Sequence, residues 1–208
     1  QYMKKEMIEN YWKNNPHDIA GDRRSKLILR LSKKYIGRKV LDVGAGSGAL
    51  IRLVPGARGI DIVANRFVQV GDISKLTFEN NTFNTVFSTE VIEHLNPEDI
   101  KQGLSEIRRV LKDDGYLILT VPFQEDLAKG AVICPKCNFK FHLWEHLHSF
   151  NKTNIKKILE DSGLKIVKMR NKSFRLYEIN PLLFIFEPII KKVYPNISQT
   201  LWVVAKKR

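Results

Sequence analysis

The run Val40-Leu41-Asp42-Val43-Gly44-Ala45-Gly46-Ser47-Gly48 constrains this chain more than any other stretch. An apolar segment carrying one acid stops at three glycines spaced two apart. That pattern describes a buried parallel strand whose tip turns sharply into a helix. Without Cβ atoms the glycines accept positive φ and let a ligand lie against bare backbone. The helix N-terminus that follows offers unpaired N–H groups, suited to a polar or anionic group such as a nucleotide-like cofactor. The run also satisfies a dinucleotide pattern if Ala49 fills the last place. Taken by itself it is also compatible with a tight strand-to-helix turn that binds nothing.

Two more strand ends favour a ligand. The run Ala57-Arg58-Gly59-Ile60-Asp61 ends in an acid suited to gripping the two hydroxyls of a ribose. Phe67-Val68-Gln69-Val70 ends in Gly71-Asp72-Ile73, which puts another acid beside an apolar neighbour. Asp42, Asp61 and Asp72 then line one edge of a parallel sheet, where open α/β folds bind ligands.

This constellation resembles the class I S-adenosylmethionine (SAM)-dependent methyltransferases. Val40–Gly48 is similar to their first motif, Asp61 to their ribose-binding acid and Asp72-Ile73 to their adenine-contacting pair. Thr85–Thr89 running into Glu90-Val91-Ile92-Glu93-His94-Leu95 resembles the segment that ends their fourth strand, and Lys112–Leu119 the loop and fifth strand. The resemblance spans about 35–167, plus a closing strand near 201–205. It implies a Rossmann-like α/β fold with a doubly wound seven-stranded sheet, order 3-2-1-4-5-7-6, whose last strand is antiparallel. It also implies SAM as cofactor, held by Asp42, Gly44, Gly46, Gly48, Asp61, Asp72, Ile73 and Thr89.

At 208 residues the chain is expected to form one domain over 1–208, with a Cys/His insertion over about 125–150 and N-terminal helices over about 1–36, which the resemblance implies act as a lid. No apolar run approaches the ~18 residues needed to cross a bilayer. Two cysteines and no apolar leader predict a cytoplasmic, reducing setting. The net charge of +13 is unevenly spread: +7 over residues 1–39, −3 over 40–149 and +9 over 150–208. Basic flanks around a slightly acidic middle suit RNA, an anionic membrane surface or an acidic substrate, and equally a solvated lysine-rich face.

Met7, Ile8, Tyr11 and Trp12 predict a short amphipathic helix over about 4–13, and Leu27, Ile28 and Leu31 face inward from a second over about 22–34. The helix after the glycines is short, because Pro55-Gly56 follows. Only Ile62–Arg66 separates the second strand from the third, although a parallel crossover normally takes about a dozen residues. A tight loop is therefore expected in place of the usual helix, either opening one face of the sheet to a substrate or partner or, as the favoured reading, merely trimming the surface of a compact protein.

Two groups could hold metal. Cys134-Pro135-Lys136-Cys137, with His142 and His146 following, reads C-x2-C-x4-H-x3-H and suits a tetrahedral zinc clip, with His148 as a spare. The alternative is free cysteines and histidines on a substrate loop. Glu90-x-x-Glu93-His94 is expected on a helix, with Glu90 and Glu93 on one face. It resembles the metal motif of the ubiquinone-pathway O-methyltransferases and of the small-RNA 3′-terminal 2′-O-methyltransferases. That resemblance implies a divalent ion on Glu90, Glu93 and His94, completed by His142, His146 or His148. In other methyltransferases a similar string merely lines the pocket. For a hydroxyl or phenol acceptor, His94 is the expected catalytic base, with His146 and His148 as alternatives.

Near the C-terminus, about 150–163 resembles the family's last helix and about 164–169 its sixth strand. The apolar stretch 179–190 then caps the site, pairs subunits, meets a lipid surface with Lys191-Lys192 at its rim, or packs as a helix on the sheet. Three functions stay open: a SAM-dependent methyltransferase for a small-molecule or lipid-like acceptor, an RNA methyltransferase, and a non-catalytic binding protein of the same fold.

Overall fold

A computed structural model describes residues 19–194, 197 and 199–208. The helix expected over about 4–13 lies outside the described residues. Seven strands form one sheet in the order β3-β2-β1-β4-β5-β9-β8. These are β1 (Val40–Val43), β2 (Arg58–Asp61), β3 (Gln69–Val70), β4 (Phe83–Thr89), β5 (Leu111–Pro122), β8 (Leu164–Lys172) and β9 (Thr200–Lys207). Strands β1 to β5 run parallel, while β9 lies antiparallel between β5 and β8. This is the expected order, with β8 and β9 as the sixth and seventh strands.

Alternating side chains bury both faces. From β5, Leu117, Leu119 and Val121 enter a cluster shared with helix α3 (Pro97–Val110) and helix α4 (Lys152–Asp161). Ile118 between them enters a second cluster with Phe87, Trp202 and the N-terminal helix α1 (Ile19–Ser32), where Leu27 and Ile28 are fully buried and Leu31 half-buried. Period-two alternation under helices on both sides is what an apolar, mostly parallel sheet requires.

The chain crosses from β2 to β3 through residues 62–68 without a helix. Asn65 makes this possible. Its Oδ1 accepts from the amides of Phe67 (2.9 Å) and Val68 (3.1 Å), and its Nδ2 donates to the Gly46 carbonyl at 2.7 Å. One amide side chain thus closes the turn and ties it to the glycine loop. The third strand begins at Gln69, two residues later than Phe67–Val70 suggested, because Phe67 and Val68 are spent on this turn.

The insertion after β5 folds as a hairpin of its own, β6 (Ala131–Ile133) with β7 (Lys140–His142). The 179–190 stretch forms a short 3-10 turn (Leu183–Phe186) and helix α6 (Glu187–Val193), after helix α5 (Phe174–Ile179). Leu182, Ile185, Phe186 and Ile189 stay exposed, so this stretch does not pack as a buried helix on the sheet. No described helix is long and apolar enough to cross a membrane.

Candidate functional site

The glycine loop leaves β1 at the carboxyl edge of the sheet and enters a five-residue helix, α2 (Ala49–Leu53). Gly44 and Gly48 have φ of +74° and +76°. A Cβ on Gly44 would come within 2.4 Å of Val91 Cγ2, so nothing larger fits beneath the segment following β4. Asp61 accepts from the Gly46 amide at 2.9 Å and from the Val63 amide at 3.3 Å. Burial raises its pKa, and these amides partly offset the rise. Asp42 is 2 % exposed, and its Oδ1 has no partner among the described residues. Burial, and then the nearby Asp61, push its carboxyl up to about 8. Such an orphaned buried acceptor suits a ligand that brings its own donor.

Asp72 lies two residues beyond β3, exposed, and accepts from the Ser74 amide and hydroxyl at 2.8 and 2.7 Å. Ile73 differs from expectation. Its side chain is buried in the core close beneath Gly103, so only its backbone is left to meet a ligand. Thr89 ends β4 opposite Thr120. Arg52 joins the loop to the N-terminal helix, donating to the Ser47 carbonyl (2.8 Å) and pairing with Asp22 (2.7 Å).

The Glu90–His94 string is not a regular helix. Glu90 has φ +55°, and Ile92–His94 form a single 3-10 turn. Glu90 is half-buried and pairs with Arg24 at 3.3 Å, which also binds Glu178 at 2.6 Å. Glu93 is completely buried, and among the described residues its carboxylate oxygens find no hydrogen-bond partner on another residue. Burial first, and then the charge of Glu90, raise its pKa well above the usual range. Glu93, His94 and His146 bring one ligand-type atom each within 4.8 Å of one another, and so do Glu125, His142 and His146. The rings of His94 and His146 lie edge to face at 4.9 Å, and those of His142 and His146 stack at 4.9 Å. Burial, with His146 adding to it, lowers the His94 pKa to about 4, so its ring is neutral at pH 7. Among the described residues five non-glycines have left-handed φ, and Glu90, Gln124 and Glu145 adjoin this cluster. Backbone strain of this kind collects where a site over-determines the chain.

The four-ligand zinc clip is not assembled. Cys134 and Cys137 sit at the tip of the β6–β7 hairpin, and the amides of Cys137 and Lys136 lower the Cys134 pKa as in a zinc knuckle. His142 and His146 lie at the hairpin's base with Glu125, and no group of three or more potential ligands among the described residues includes a cysteine. The reason is the two-stranded ladder: Ala131 pairs with His142 and Ile133 with Lys140, which holds the histidines one strand length from the turn. His148 turns elsewhere, its Nε2 meeting the Leu95 carbonyl at 2.8 Å beside a cleft of about 690 Å³ between Pro97 and Asn154.

A family model described as a methyltransferase domain matches residues 11–169. The chain belongs to the class I SAM-dependent methyltransferases. An uncharacterised protein of Methanocaldococcus jannaschii is 30 % identical over 198 residues, covering 84 % of this chain and 82 % of its own. A protein of Pyrococcus horikoshii shares the fold at a TM-score of 0.64 and 20 % identity, covering 96 % of this methyltransferase and 99 % of its own chain. The 1,6-didemethyltoxoflavin-N1-methyltransferase of Burkholderia thailandensis, solved with its substrate and S-adenosylhomocysteine, aligns with a TM-score of 0.65 at 14 % identity over 98 % of this chain and 86 % of its own.

The candidate site of the methyltransferase is also bordered by residues that the sequence did not single out. Glu125 contacts His142 and His146 from a loop, Arg24 reaches Glu90 from the N-terminal helix, and Asn65 braces the glycine loop. Asn65 carried a faint signal, because an asparagine in a crossover too short for a helix invites a side-chain-closed turn.

Proposed function

We propose that this methyltransferase moves the methyl group of SAM to an oxygen or nitrogen of a small, lipid-like acceptor. The reading is carried by the wall beside the glycine loop, where Val91 closes over Gly44 while Glu90, Glu93 and Glu125 gather around His94 and His146. With Arg24 taken up by Glu90 and Glu178, the cluster offers no free cation among these residues for a phosphodiester, so the RNA reading drawn from the basic flanks gains nothing from the site. The exposed apolar stretch around Leu182, Ile185 and Phe186 supports an acceptor with an apolar body.

SAM, when bound, supplies a methyl group activated by its sulfonium. The chain's own task is binding, orientation and exclusion of water. Asp61 accepts from the ribose hydroxyls while its loop amides hold the carboxylate in place. The free Oδ1 of Asp42 accepts from the donor's ammonium group, which in turn favours the ionised carboxylate. Gly44, Gly46 and Gly48 leave the backbone bare, the Asp72-Ile73 backbone borders the adenine, and Thr89 flanks the methyl-bearing end. His94 is better suited to accept a hydrogen bond or ligate than to store a proton, because a base with a pKa of about 4 gains little at neutral pH.

Methyl-labelled SAM incubated in parallel with a neutral lipid extract and with RNA tests the reading. Label partitioning into the organic phase supports it. Label in RNA, or no transfer by a protein that binds SAM, overturns it.

A further inference from the structure

We infer that the carboxyl edge of the sheet docks on an anionic lipid bilayer surface. The β6–β7 hairpin makes the contact on one side of the candidate site, and the 179–194 segment makes it on the other. The docking extends the reading of a lipid-like acceptor, and its role in delivering that acceptor rests on that reading.

Topology puts both segments at one edge. Pro122 at the end of β5 pairs with Thr200, which opens β9, and Thr200 pairs with Lys172 at the end of β8. The hairpin leaves the sheet after Pro122, and the apolar stretch lies in the link from Lys172 to Thr200. Both therefore project from the edge that carries the glycine loop. They belong to opposite faces of the sheet. Phe184 packs against the cluster beneath the N-terminal helix, whereas Phe150, which closes the insertion, enters the cluster under α3 and α4.

Each projection holds apolar side chains out in water. In the hairpin, Phe139 and Phe141 stack with ring centroids 6.4 Å apart, yet both stay exposed, Phe139 by 57 %. Trp144, just past β7, is 63 % exposed and follows an exposed Leu143. On the other side Leu182, Ile185, Phe186 and Ile189 are exposed. Apolar groups of this size at one edge mark an interaction surface. The hairpin is anchored at its base, where the Leu147 amide donates to the Glu93 carbonyl at 2.7 Å and the Leu143 amide to the Gly130 carbonyl at 2.8 Å.

Charge selects the occupant. Residues 127–144 contain three lysines and no acid, and Lys136 and Lys140 are exposed beside the aromatic rings. In 179–194 the one acid, Glu187, is buried and paired with Lys172 and Lys191, while Lys192 is exposed. Apolar tips rimmed by lysines match the boundary of an anionic bilayer. There aromatic and aliphatic groups enter the headgroup layer and ammonium groups meet lipid phosphates. A second copy seated symmetrically on the same surface would set lysines against lysines. Single-stranded RNA asks for aromatic platforms, and the 179–194 projection is mostly aliphatic. Docked this way, the site faces the bilayer, and an acceptor with an apolar body enters without crossing water.

The test is sedimentation of the full chain with phosphatidylcholine vesicles containing about 30 % phosphatidylglycerol. Binding is expected, and pure phosphatidylcholine or salt on the order of 0.5 M should weaken it about tenfold. Phe139→Ser/Phe141→Ser, Ile185→Ser/Phe186→Ser and Lys136→Glu/Lys140→Glu should each weaken it about as much. Nitroxide-labelled lipid should quench a component of the tryptophan emission that Trp144→Phe removes. All of these side chains are exposed, and circular dichroism with calorimetric SAM binding, both expected near wild type, separates loss of docking from misfolding. Methyl transfer to lipid extract dispersed in detergent is measured alongside. Transfer without vesicle binding overturns the docking and leaves the acceptor reading standing. Vesicle binding with label entering RNA alone supports the docking and overturns the acceptor reading. The docking is also overturned by binding that survives all three double variants, by a dimer that those variants split, or by RNA binding that they abolish in a protein indifferent to vesicles.

Discussion

The two ends of the sheet treat buried acids in opposite ways. At the antiparallel end, Glu187 is 2 % exposed yet saturated: it accepts from the Ser173 amide at 2.6 Å and pairs with Lys172 (2.7 Å) and Lys191 (2.9 Å). Burial pushes its pKa up, but those partners more than offset it, and the net shift is downward. At the parallel carboxyl edge, Asp42 and Glu93 are as deeply buried and keep oxygens that no other described residue satisfies, and both pKa values are raised. Glu187 thus serves the fold, while the carboxyl edge keeps its acids incomplete for something that arrives later.

The largest effect should come from Glu187→Ala. It strips two lysines and a buried amide of their partner, and chemical denaturation should show a loss of about 3 kcal/mol. An unaffected midpoint would break the contrast.

Asp42 should make the ligand-free protein pH-dependent. Its folded pKa of about 8 lies above the unfolded value, so its stabilising contribution is full below about pH 4. That contribution falls as pH rises toward 8, by at most about 1.4 kcal/mol per pH unit. Thermal unfolding from pH 5 to 8 should show the slope, and Asp42→Asn should flatten it. Saturating SAM should also flatten it.

Glu93→Gln should do the reverse of Glu187→Ala. It replaces a carboxyl whose ionisation burial already disfavours with a neutral amide of the same shape, so the midpoint should hold or rise, by about 1 kcal/mol at most. A loss as large as that at Glu187 would mean that Glu93 has a structural partner after all. Asn65→Ala should be smallest on global stability, about 1 kcal/mol or less, while weakening SAM binding measured by calorimetry.

Much of this was legible beforehand because it rests on local, repetitive rules. Glycines at 44, 46 and 48, acids at 42, 61 and 72, and the short 62–66 link are written in neighbouring residues, and they led to the sharp turn and the missing crossover helix, while the sheet order came only with the family resemblance that they carry. The ligand grouping was not legible, because spacing in sequence does not report ladder register. Cys134 and His142 are eight residues apart, yet the β6–β7 pairing sends them to opposite ends of a hairpin. Conversely Glu125 and His146 meet across that same hairpin. The Glu90–His94 string misled for a related reason: a left-handed Glu90 prevents the helix that would have put Glu90 and Glu93 on one face.

Asn65 has a kinetic consequence. Because one side chain bonds both the Gly46 carbonyl and the amides at 67 and 68, the two-residue edge strand cannot fray without releasing the glycine loop. Loop and edge should therefore open as a single cooperative unit in native-state hydrogen exchange. SAM bound to the loop should slow exchange at the amides of 67–71, residues that belong to the outermost strand of the sheet and its approach.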